Sequence, residues 1–315
     1  MAIPRRARTA FIGTGLGVVS LALTWYAAHE IAWLRRVDVN ILLGFLQLNR
    51  PRVDGIADWF VWLCDPKHYV VLAAVPLVIA FVRGRRRVAA TALLLLVGAN
   101  VTTELLKPLT AGPRDPVAVP GVVLSHATWP SGHTTAAMSL ALAFLICVPG
   151  RLRPPVSGVM ALFVLGVVYS LLALGAHYPS DIVGGFEVAV TWALFALGTL
   201  WTYEAHRPAL AARLSHGARR PVASSLAQVL WPPIVALLAA IGLIAFALSR
   251  RPHAAIGFAS SHAAFMTAAS ALVVLSFGCA IGVSLLLRRP PGTARGSGPA
   301  PTAARRPRPG RSLPG

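Results

Sequence analysis

Apolar runs long enough to cross a bilayer recur along this 315-residue chain, and they decide its fold class before any motif is considered. A helix needs about 20 apolar residues to cross the hydrocarbon core. Eight stretches approach or reach that length: Phe11 to Trp33, Tyr69 to Val82 (with a start as early as Ile56), Val88 to Leu106, His133 to Val148, Val156 to Ala176, Asp181 to Trp201, Ala227 to Leu248 and Ala263 to Leu287. Between the first two, Val37 to Phe60 mixes apolar and polar residues, including Asp54 and Asp58, and predicts an interfacial helix and turn rather than a span. Charged residues make up 12% of the chain, against about a quarter in soluble domains, and the mean hydropathy is +0.67. The expected fold is all-α, a polytopic membrane bundle with a six-span core and two extra C-terminal spans. The expected divisions are an N-terminal anchor span and interfacial helix over 1–50, the core over 51–201, a basic loop over 202–226, the two additional spans over 227–287 and a disordered basic tail over 288–315.

The net charge of +19 raises the possibility of a nucleic-acid partner. The placement of the charge argues for no nucleic acid. Seven arginines and no acidic residue follow Leu287, and others fill short loops between apolar runs. That is the pattern of the positive-inside rule and of contact with anionic headgroups. With Arg5, Arg6 and Arg8 before the first run and Arg83 to Arg87 after the second, both termini are expected in the cytoplasm of a multi-pass protein of a bacterial plasma membrane. The first run's length and the absence of a convincing small-residue cleavage site favour an uncleaved anchor over a secretory signal peptide. This topology sends Lys107, Arg114, His133, His177 and Asp181 to one extracytoplasmic face, while Arg35, Arg36, Arg250 and Arg251 land there against the rule. Cys64, Cys147 and Cys279 have no metal spacing and read as small buried hydrophobes.

Three polar segments lie at span mouths. In Pro130-Ser131-Gly132-His133, Ser131 suits a helix N-cap and Gly132 permits close backbone approach, so the following span offers free N–H groups to an anion. His133 is placed to donate a proton, or simply to rest among headgroups. In His177-Tyr178-Pro179-Ser180-Asp181, the histidine and carboxylate are four residues apart. A helical turn there puts both on one face, where Asp181 holds one ring nitrogen and leaves the other as a nucleophile; the plainer alternative is a polar turn capped by Asp181. Lys107 and Arg114, seven residues apart in a Pro/Gly-rich loop, suit a phosphate clamp or ordinary snorkelling anchors.

Taken together and in this order, the segments resemble the three-part signature of the type 2 phosphatidic acid phosphatase family, the membrane branch of the superfamily that includes vanadium-dependent haloperoxidases. The family pattern is Lys, six residues, Arg-Pro; then Pro-Ser-Gly-His; then Ser-Arg, five residues, His, three residues, Asp. This chain keeps Lys107 and Arg114 at the right separation but has Asp115 in place of the proline. It matches Pro130 to His133 in full, and it keeps Ser170, His177 and Asp181 but places Leu171 where the arginine belongs. The resemblance covers about Pro51 to Trp201.

The resemblance implies that His177 attacks phosphorus, Asp181 orients it and His133 protonates the leaving group. It implies that Lys107, Arg114 and the backbone at Ser131 and Gly132 hold the phosphate oxygens, with no cofactor and no metal. The implied activity is hydrolysis of a lipid-linked phosphate monoester or diphosphate, such as phosphatidate, phosphatidylglycerol phosphate or a polyprenyl phosphate. A phosphotransferase has the same motifs, and Leu171 leaves open a non-catalytic lipid-phosphate-binding relative. Arg250 or Arg251 is a candidate replacement for the missing guanidinium, and His126 is a further histidine near the site. Ser260-Ser261-His262 echoes the second segment as an N-cap coincidence. The last two spans read as added packing or as a homodimer surface. Glu104, one turn before Lys107, is expected to pair with it, and Glu187 is a membrane-embedded acid.

Overall fold

The computed structural model describes residues 3–48, 51–112, 124–206, 226–249 and 252–288. Every regular element among them is an α-helix: α1 (Arg5–Glu30), α2 (Ala32–Leu46), α3 (Pro51–Leu63), α4 (Pro66–Val82), α5 (Arg86–Leu109), α6 (Gly132–Cys147), α7 (Arg153–Ala173), α8 (Pro179–His206), α9 (Leu226–Ser249), α10 (Pro252–Ser261) and α11 (Ala263–Leu286). A helix satisfies its backbone hydrogen bonds within itself, as a segment in hydrocarbon must. Six of these helices are long and apolar enough to cross a bilayer, namely α1, α5, α7, α8, α9 and α11. Large apolar side chains such as Leu16, Leu23, Val70, Val78, Val101 and Val274 cover the outside of the bundle. The protein is a multi-pass membrane protein with an all-α fold.

Two of the eight expected spans take a different form. The second is a bent pair: α3 and α4 form a single apolar path that turns by 61° at a short break. Pro66, which has no N–H, opens α4 there, and Asp65 is its N-cap. The expected interfacial segment therefore splits, with α2 as one helix and α3 as the first arm of the bent pair. The fourth is α6, with 16 residues and a length of about 24 Å at 1.5 Å per residue. Nearly all of it is buried against α4, α5, α7, α8 and α11. The two C-terminal spans pack into the same bundle, α9 on α7 and α11 on α7 and α2.

The chain alternates direction, so the ends of the helices sort into two faces. On one, Arg85 donates to the carbonyl of Cys147 at 3.4 Å and Arg153 to that of Leu145 at 3.0 Å. On the other lie the last turn of α5, the first turn of α6 and the start of α8. Gly175 delivers the chain to this second face. Its φ of +67° lets α7 end with Ala176 N–H on the Leu171 carbonyl and Gly175 N–H on that of Leu172, a pairing that needs a left-handed residue. His177 follows two residues later.

Candidate active site

The second and third segments are joined by backbone. Ser131 N–H donates to the Asp181 carbonyl at 3.0 Å. Two glycines of α8 allow this approach: a Cβ on Gly184 would lie 2.8 Å from Trp129 Nε1, and one on Gly185 would lie 2.9 Å from the Ser131 carbonyl oxygen. Ser131 caps α6 as its sequence predicts, its Oγ accepting from Thr134 N–H at 3.3 Å. Its own N–H is committed to Asp181. Of the donors that open α6, those of Gly132 and His133 are the pair left to face an anion.

The first segment reaches the same place. Lys107, in the last turn of α5, brings Nζ to 3.1 Å from where a Gly132 Cβ would stand, so the missing side chain makes room for the ammonium. Glu104 receives that ammonium at 2.6 Å, the pairing expected from their spacing. Beneath them Thr103 and Thr135 share a hydrogen bond of 3.0 Å.

His177 and Asp181 lie on one face of the turn that opens α8. Nδ1 of His177 is 3.3 Å from Asp181 Oδ2, which also accepts the Tyr178 N–H at 3.0 Å. The Asp181 side chain is fully buried. His133 shares electrostatic interactions with His177 and Lys107, so residues from all three segments meet at one end of the bundle.

Arg114 lies outside the described residues, as do Asp115, Arg250, Arg251, the basic loop beyond residue 206 and the tail after residue 288. Leu171 is 1% exposed and belongs to the apolar core. His126 is exposed, and its carbonyl receives the Gly112 N–H at 3.2 Å. His262 precedes α11 without a side-chain capping bond, unlike Ser131, and its Nε2 lies 2.8 Å from Gln47 Nε2. Glu187 accepts from Thr24 of α1 at 2.9 Å, a link between two spans.

Sequence reasoning missed two carboxylates. Asp65 Oδ1 is 3.2 Å from His133 Nε2. Asp38 of α2 accepts from Ser180 twice, from N–H at 3.0 Å and from Oγ at 2.6 Å, pinning the start of α8. Asp65 before Pro66 signals a helix start. Its partner is 68 positions away, and no local pattern reveals that.

Comparison with known proteins agrees with the motifs. Residues 88–207 match the family model described as PAP2 superfamily. A similar solved structure is the crystal structure of the first transmembrane PAP2 type phosphatidylglycerolphosphate phosphatase from Bacillus subtilis. It is 20% identical, the match covers 66% of this chain and 98% of that one, and the TM-score is 0.47. No curated protein matches the chain.

Proposed function

We propose that the protein is an integral membrane phosphatase that hydrolyses a lipid-linked phosphate monoester or diphosphate through a phosphohistidine on the extracytoplasmic face. The carrying observation is the bond from Ser131 N–H to the Asp181 carbonyl, which locks the helix start bearing His133 to the turn bearing His177. In this reading Asp181 holds Nδ1 of His177, so Nε2 attacks phosphorus. The P–N bond forms as the P–O bond to the leaving group breaks, and His133 gives that oxygen a proton. Water then attacks phosphorus as the P–N bond to His177 breaks, passes its proton back to His133 and releases inorganic phosphate. Lys107, Arg114 and the N–H groups opening α6 hold the phosphoryl oxygens; Ser131 serves by fixing the helix start. Apolar spans around the site admit acyl or polyprenyl tails, and water enters from the polar end.

The test is phosphate release by purified protein from short-chain phosphatidate, phosphatidylglycerol phosphate and a polyprenyl diphosphate. We expect His177→Ala to abolish release. Equal release by wild type and His177→Ala overturns the reading and leaves the phosphate-binding relative that Leu171 suggests.

A further inference from the structure

The nucleophile candidate has its carboxylate four residues away; the proton-donor candidate has one from a different helix pair. Asp65 sits at the N-cap of α4, where aspartate ordinarily accepts an N–H of the first turn. It makes no side-chain capping bond there. Its Oδ1 is turned instead to His133 Nε2, at 3.2 Å. The turn that carries it is well held. Asp65 N–H bonds the Trp62 carbonyl at 3.2 Å, His68 Nδ1 lies 2.9 Å from that same carbonyl, and the rings of Trp62 and His68 are 3.7 Å apart. The 61° break between α3 and α4 is what sets Asp65 at the site end of the bundle.

We propose that Asp65 is a positioning residue for the proton donor, its carboxylate holding His133 by Nε2 so that Nδ1 faces the leaving oxygen. This rests on the hydrolase reading given above. Three charged or titratable groups face His133: Asp65 from the break before α4, Lys107 from α5 with its partner Glu104, and His177 from the turn before α8. Lys107 repels a cation on His133, and Asp65 is the group of the three that attracts one. In the first step the proton passes from Nδ1 to the departing oxygen as the P–O bond breaks. In the second Nδ1 takes a proton from the attacking water as the P–N bond breaks. The two imidazoles are thus held through opposite nitrogens, His177 by Nδ1 and His133 by Nε2.

A lipid alcohol leaves poorly without a proton, whereas p-nitrophenolate leaves unaided. The experiment compares Asp65→Asn, Asp65→Glu and wild type, as full chains in detergent, on a short-chain lipid phosphate and on p-nitrophenyl phosphate. In parallel it follows the His133 ring by nitrogen NMR across pH. A positioned acid is worth roughly 10²- to 10⁴-fold. Asp65→Asn is expected to lose about ten- to a hundredfold of that in kcat on the lipid substrate, with KM little changed. Its loss on the aryl substrate is expected to be several-fold smaller, its alkaline limb to move to lower pH, and its His133 midpoint to fall by about one unit. Asp65→Glu is expected to recover part of each. An active wild type whose Asp65→Asn variant loses both substrates equally, or whose His133 midpoint stays in place, overturns the role of Asp65 alone. A wild type that releases no phosphate from either substrate overturns the hydrolase reading, and the donor role falls with it.

Discussion

Leu171 stands where the family pattern has an arginine, and the structure gives it a different occupation. Its side chain is 1% exposed within the apolar core, just before the turn that presents His177. A guanidinium there enters a space built for a hydrocarbon, and an uncompensated buried charge costs several kcal/mol. Leu171→Arg is therefore expected to lower the thermal unfolding midpoint in detergent markedly, while Leu171→Met stays within about 1.5 kcal/mol of wild type. An arginine variant as stable as wild type and tighter for phosphate would show the side chain turning out into the site. At this scale the motif residues were legible in the sequence because their chemistry and spacing are local: His177 with Asp181, Ser131 with Thr134, Lys107 with Glu104. Asp65 was not, because its capping signal has an ordinary local explanation and its partner comes from another span. The bond from Ser131 N–H to Asp181 was equally hidden, since it depends on where a carbonyl 50 residues later is aimed.

Among the helices, α6 and α8 set the accuracy of the site. Their approach depends on the absence of a side chain at Gly185, where a Cβ would press on the Ser131 carbonyl at 2.9 Å and the Thr134 Cβ at 2.8 Å. The backbone carbonyl cannot turn aside as a flexible side chain does. Gly185→Ala must therefore shift the start of α6, and a shift of about 1 Å at reacting groups costs on the order of a hundredfold in rate. We expect kcat to fall far more than stability, measured beside Gly278→Ala in α11, where a Cβ meets open space and both quantities hold. Helix existence and type followed from apolar length. The short α6 and the bent α3–α4 pair did not, because span length in sequence presumes lipid on every side. A helix enclosed by five others obeys their geometry, and a proline with an aspartate before it can restart a helix at a new angle.

Over the whole molecule, the basic face of Arg85 and Arg153 and the face holding Lys107, His133 and His177 lie at opposite ends of the helices. The arginine bias assigns the first to the cytoplasm. A cysteine placed at exposed Ser125 should react with an impermeant thiol reagent on intact cells, and one at exposed Arg83 only after permeabilisation; the reverse pattern inverts the proposed sidedness. Distribution of charge predicts this orientation, but not how far the polar site extends along the chain. The carboxylate of Asp38, on a helix outside residues 88–207 that the family model matches, grips the residue beside Asp181 through both backbone and hydroxyl. The helix expected to lie at the membrane interface thus also pins the turn that carries His177 and Asp181. A graft of residues 88–207 into another scaffold would carry all three signatures and still arrive without the bracket that keeps the third one aimed.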